Sequence, residues 1–207
     1  MPVAKPKRTR LQPDERRAQL VNCALSAFAE HGLARATHSH VAERAGIAVS
    51  TVHFYFRTRE DLVDAVLTAV ETVQGDLLRR TLEGPGTVRE RLTAIAIDFV
   101  RQASDMPDFI KVWLDWSTGV SSDLWPRYTV LNGRFIEATQ KVLTRGKREG
   151  VIPAHLNVKA AARLFIGGGH TVALMQFAGA SQSEFDAIID QLIGMIMEKG
   201  LDDALEA

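Results

Sequence analysis

Gly46 constrains this chain more than any other residue. It stands four positions after Ala42, inside the run His-Ser-His-Val-Ala-Glu-Arg-Ala-Gly-Ile-Ala-Val-Ser-Thr-Val-His-Phe-Tyr-Phe-Arg at positions 38 to 57. A small side chain at Ala42 lets one short helix pack closely on the next. Glycine supplies the positive φ that a tight inter-helix turn requires. Val41, Ala45, Ile47, Val52 and Tyr55 then fall where the two helices face each other, and Ser50, Thr51 and His53 stay on the outer face of the second. This is the pattern of a helix-turn-helix, which offers a polar helix surface to the DNA major groove. An ordinary helical hairpin in an all-α domain has the same outline.

Charge separates the two readings. The 207 residues carry 25 basic and 25 acidic side chains, a formal net charge of zero. Residues 1–60 hold ten Lys/Arg against five Asp/Glu, and the remainder holds 15 against 20. Positive charge gathered at the end with the helix-turn-helix suits a phosphate-facing module joined to a body that leaves DNA alone.

The rest of the chain reads as helix. Residues 1–12 form a Pro/Lys/Arg arm with too little apolar content to order itself. Pro13-Asp14-Glu15 opens a helix reaching about Glu30 and stopping at His31-Gly32. Thr37 caps a second helix, Val49–Tyr55 forms a third, and Thr58 caps a long fourth that ends near Gly84-Pro85-Gly86. Further helices are expected near 87–104, 107–118, 124–149, 157–179 and 182–199, separated by Gly and Pro. The domain reading is therefore a basic arm at 1–12, a DNA-binding domain at 13–58 and a helical ligand-binding and dimerisation domain at 59–207.

Phe185, Ile188, Ile189, Leu192, Ile193, Ile196 and Met197 make a continuous apolar stripe on the last helix. The helix before it contains Gly167-Gly168-Gly169. Each helical glycine costs about 1 kcal/mol relative to alanine, so three together need a reason. Close approach of another backbone is one, and room for a ligand is another. Two such helices per chain would build a four-helix dimer interface; alternatively the stripe fills the monomer core.

Other classes find little support. The six histidines include no i, i+4 pair and no HExxH motif, the glycine run lacks the Lys-Ser/Thr of a phosphate loop, and no Gly-x-Ser-x-Gly elbow occurs. No enzymatic activity, cofactor or metal is expected. The single cysteine, Cys23, permits no intramolecular disulfide and sits among Leu20, Ala24, Ala27 and Phe28, as a small buried hydrophobe would. The N-terminus has no apolar signal region, and the charge-free stretch Leu164–Ser183 reads as a buried helix, so a cytoplasmic protein without membrane contact is expected.

The segment Leu20–Leu67, ending Tyr-Phe-Arg-Thr-Arg-Glu-Asp-Leu-Val-Asp-Ala-Val-Leu, resembles the DNA-binding domain of TetR-family regulators. Thr9-Arg10-Leu11, Lys111-Val112-Trp113, Asp115-Trp116-Ser117, Trp125-Pro126 and Asn132 extend the likeness to the LuxR/HapR/SmcR group, the quorum-sensing master regulators of vibrios. The resemblance implies an all-α homodimer on a palindromic operator, able to repress or activate many promoters. It implies a cavity for a small hydrophobic effector lined by Gly75, Leu78, Trp113, Asn132, Ile136 and Gly169. It also implies that Arg8 and Arg10 lie in the minor groove. Two positions depart from the pattern. His53-Phe54 replaces Phe-Asn in the reading helix, so the bidentate adenine contact of Asn is lost. Ile136 stands where Gln is usual, which makes the cavity less polar.

Among the candidate DNA contacts, Ser50 and Thr51 suit base edges, while His53 suits a base or a phosphate. Phe54 either meets a thymine methyl or packs inside. Tyr55 places its ring in the core and its hydroxyl on phosphate. Thr58 offers hydroxyl and backbone N–H to another phosphate. His40, Lys7 and Arg57 are lesser phosphate candidates. Arg8 and Arg10 fit either an A·T-rich minor groove or a non-specific basic tail. Trp113 and Trp116 share a helix face, as core or as cavity wall. Three functions remain: a global quorum-type regulator, a local TetR-like repressor released by a hydrophobic effector, and a helical ligand carrier with a vestigial helix-turn-helix.

Overall fold

The computed structural model describes residues 12–197, so Arg8, Arg10 and Lys7 lie outside the described residues. Among the described residues there are nine α-helices and no strand: α1 (Pro13–His31), α2 (His38–Ala45), α3 (Val49–Tyr55), α4 (Arg59–Thr81), α5 (Val88–Asp105), α6 (Pro107–Thr118), α7 (Trp125–Arg148), α8 (Val158–Phe177) and α9 (Gln182–Met197). The chain divides into two compact units, up to Ala69 and from Val70 onward. This division falls inside α4 rather than at the 58/59 boundary suggested by the sequence.

In the first unit α1, α2 and α3 surround a core of Leu20, Ala24, Phe28, Val41, Val52 and Phe56. Gly46 adopts φ 62°, ψ 39° at the end of α2. Its N–H donates to the Glu43 carbonyl (3.1 Å) and the Ile47 N–H to the Ala42 carbonyl (3.1 Å). These bonds close the helix end and turn the chain into α3. Ala42 is buried at this turn, as its small size allows. Phe56, rather than Tyr55, fills the core: the helix stops at Tyr55, and extended backbone at Phe56 (φ −135°, ψ 99°) swings the next ring inward. Tyr55 is left half-buried. Arg59 closes the unit by donating to the Leu33 and Ala36 carbonyls of the α1–α2 turn.

In the second unit α5 packs against α6, α7, α8 and α9. Thr87 and Glu90 start α5 with a reciprocal cap, the Thr87 N–H donating to Glu90 Oε2 at 2.8 Å and the Glu90 N–H to Thr87 Oγ1 at 3.3 Å. Two donors that a helix start would otherwise leave unpaired are thereby satisfied. Arg127 on α7 grips Glu71 on α4 through two parallel bonds of 2.7 Å. This forked geometry is the strong form of an arginine–carboxylate pair. Trp116 is fully buried and donates its indole N–H to the Leu124 carbonyl at 2.9 Å, so it belongs to the core. The α9 stripe also turns inward, with Phe185, Ile189, Ile193 and Ile196 buried within this chain. No helix among the described residues is long and apolar enough to cross a membrane.

Gly46→Val should cost the first unit about 1–2 kcal/mol, because a β-branched residue is forced into left-handed backbone. A Cβ there meets nothing within 4 Å, so the loss is conformational rather than steric. Faster hydrogen exchange confined to residues up to Ala69 is the expected readout.

Candidate nucleic-acid interface and ligand cavity

One side of α3 is sealed and the other is open. Val52 is fully buried, whereas Ser50, His53 and Phe54 are exposed, Phe54 to 79%. That exposure answers the question of whether Phe54 packs inside: its ring makes an edge-on approach to Tyr55 at 5.2 Å and otherwise faces outward. Thr51 is half-buried behind this face.

Histidines fix how α3 is held. The His38 ring, buried at the start of α2, donates Nε2–H to the Phe56 carbonyl at 2.8 Å and stacks on His53 with centroids 4.0 Å apart. His53 is thus aligned from behind while its outer edge stays accessible. His40 stacks on His31 at 3.9 Å and accepts the Thr37 N–H on Nδ1 at 3.3 Å. It caps α2 on its own unit and is half-buried. His38 is not among the candidate contacts read from the sequence; its place at the first position of α2, on the apolar side, is the signal that could have found it.

Thr58 requires a correction. Its backbone N–H, expected to be free for a phosphate, donates to Asp61 Oδ2 at 2.9 Å, and its hydroxyl accepts the Asp61 N–H at 3.1 Å. These bonds hold the Asp61 carboxyl below the usual carboxylate range. The Thr58 hydroxyl proton takes no part in these two bonds. Cys23 is half-buried, and burial pushes its thiol pKa up against a smaller downward pull from Arg44. A raised pKa leaves less of this thiol as the reactive thiolate.

The second unit encloses a cavity of about 70 Å³. Trp113, Asn132 and Gly169 line it, as expected. Gly75, Leu78 and Ile136 do not; their places are taken by the preceding residues Gln74, Leu77 and Phe135. One residue turns a helix by about 100°, so the uniform offset rotates each transferred position off the cavity wall. The glycine run divides its roles. Gly167 faces outward, a Cβ at Gly168 would come within 2.8 Å of the Leu192 side chain, and Gly169 lies against Phe99. The close approach is made by a leucine side chain from α9 and not by a second backbone.

Trp113 stands edge-on to Phe99 at 5.4 Å and tilts over the His170 ring at 4.5 Å. His170 Nε2 is hydrogen-bonded to Ser117 Oγ at 2.9 Å. Burial holds the His170 pKa below the ordinary imidazole value, against a smaller upward pull from the Gly167 backbone. Tyr128, on the cavity wall, has its phenol pushed up to about 12 by burial despite a hydrogen bond with Ser117. Among the described residues no group of three His, Cys, Asp or Glu converges as metal ligands would.

Residues 20–66 match the family model for bacterial regulatory proteins of the tetR family. The HTH-type transcriptional regulator LuxR of Vibrio harveyi is 30% identical over 196 residues, covering 95% of this chain and 94% of that protein. Two solved structures share the fold. The ketosteroid transcriptional regulator KstR2 of Mycobacterium tuberculosis superposes with a TM-score of 0.73 at 20% identity, covering 91% of this chain and 98% of its own. FadR of Bacillus subtilis, in complex with stearoyl-CoA, gives 0.69 at 21% identity, with coverages of 87% and 97%.

Because His170 is held neutral, the unfolded chain binds its proton more readily below about pH 6.5, so the second unit loses stability as pH falls. Protonation beside Trp113 should quench its fluorescence in a step centred below the ordinary imidazole value, and His170→Gln should abolish that step.

Proposed function

The chain belongs to the TetR family of DNA-binding transcriptional regulators, and from that premise we propose that it acts as a homodimer on a palindromic operator, each copy seating α3 in one major groove. The observation that carries this reading is the one-sided burial of α3, with Val52 inside and Ser50, His53 and Phe54 outside. Ser50 and Thr51 meet base edges, Phe54 takes a thymine methyl, and His53, held against His38, presents its ring edge to a base. Tyr55, the Thr58 hydroxyl and His40 serve phosphates, and Arg8 and Arg10 of the arm enter the adjacent minor groove. Functionally the chain divides into arm (1–12), reader (13–58) and effector and dimer body (59–207).

The dimer contact falls on α8, where Leu164, Leu174 and Phe177 are exposed, with Met195 of α9 similarly bare. These residues lie beside the outward-facing Gly167. Together they give a partner helix an apolar surface and a close approach. The whole-length likeness to LuxR supports a global, quorum-type regulator that represses some promoters and activates others. It is a cytoplasmic, non-enzymatic protein in this reading. A second reading, a local repressor released by an apolar effector, is favoured by the cavity and by the lipid-like molecules in the names of the two structural relatives. Genome-wide binding separates them: many loci for the first, one neighbouring promoter for the second.

Operator binding should fall about 10³–10⁵-fold between roughly 50 and 200 mM salt if some 6–10 phosphates are neutralised. Phe54→Ala should lower affinity for DNA selected from a random pool about tenfold while sparing non-specific DNA, as loss of a base contact does. Equal loss on both would remove Phe54 from the reading set.

A further inference from the structure

The cavity wall contains one fully buried polar atom that nothing among the described residues satisfies. Gln74, on α4, is 3% exposed, and its Nε2 has no hydrogen-bond partner. The other polar side chains on the wall are differently placed: the Tyr128 phenol is paired with Ser117, and Asn132 is half-buried. A primary amide donates two hydrogens, and leaving them unpaired in an apolar surround is costly. Among the described residues on the wall none is charged; the rest are aliphatic, aromatic or glycine, Trp113, Phe135 and Phe165 among them. An anion or cation in this space would have no counter-charge.

From these features, and resting on the reading of the cavity as the effector site, we infer that it takes a neutral, mostly apolar ligand presenting one hydrogen-bond acceptor, such as a carbonyl oxygen, to Gln74 Nε2. The aromatic side chains enclose the ligand's body, and the amide sets its direction. Acids and phosphorylated molecules are excluded by the uncharged wall. At about 70 Å³ the cavity is less than half the roughly 150 Å³ that holds a benzene ring, so the ligand's body is a short chain of a few carbons.

The test uses the full chain and three probes of one small shape, 2-butanone, 2-methyl-1-butene and propanoate, with binding followed through tryptophan fluorescence. The 2-methyl-1-butene-to-2-butanone ratio of Kd should fall about tenfold from wild type to Gln74→Leu, because the ketone alone loses its donor. Gln74→Met, which keeps the length of the side chain, should reproduce this, and circular dichroism should be unchanged in both variants. Propanoate should bind at least about tenfold more weakly than 2-butanone, since its charge finds no partner on the wall. An unchanged ratio in both variants, propanoate binding as tightly as the ketone, or failure of all three probes to bind would overturn the inference. The same samples are assayed on DNA selected from a random pool. Intact DNA binding without the ratio change rejects the Gln74 contact alone, whereas the ratio change with DNA binding indifferent to 2-butanone rejects the effector reading and leaves the contact standing.

Discussion

The bond from His38 Nε2 to the Phe56 carbonyl is the interaction on which the reading unit depends. α3 is seven residues long. That is far below what holds a helix together in water. It persists because its surroundings specify it: Val52 anchors its inner face, Gly46 sets its entry, and His38 ties down the carbonyl just past its end. The same imidazole lies flat against His53. One buried ring therefore links the stability of the helix to the aim of a side chain on its outer face.

The second unit solves a different problem. A helical body with an apolar interior normally closes on itself at high density. Here α8 withholds side chains at Gly168 and Gly169, Leu192 takes part of the space, and a cavity remains against Phe99 and Trp113. The polar groups nearby are paired among themselves, through His170, Ser117 and Tyr128. Gln74 Nε2 stands outside this set, fully buried and unpaired, and its isolation gives the space a chemical preference as well as a shape.

The helices were legible because their ends are written in local chemistry. Pro13, Pro107, Gly46 and the Thr87–Glu90 pair act within a few residues of themselves. The exposure of α3 was legible for a similar reason, since its polar and apolar positions alternate at helical spacing. What stayed hidden depends on rotation and on distant partners. Phe56 supplants Tyr55 because the backbone turns extended just past the end of α3 and swings the next ring inward. Gly75, Leu78 and Ile136 miss the cavity by a single residue, a rotation that no motif encodes. The α9 stripe has the same periodicity whether it meets its own chain or another copy, and only the burial of Phe185, Ile189 and Ile193 distinguishes these cases. Asp61 claims the Thr58 N–H from three residues away, a competition visible in the sequence only to a reader already looking for a cap.

Gly169 has an evolutionary corollary. A methyl group placed there would sit 3.6 Å from the Phe99 ring. That is a comfortable contact, which leaves the packing undisturbed. Alanine is also the better helix former, so stability offers no resistance to the exchange. Descendants of this chain can therefore shrink the chamber by one carbon through a single codon change, without passing through an unfolded intermediate.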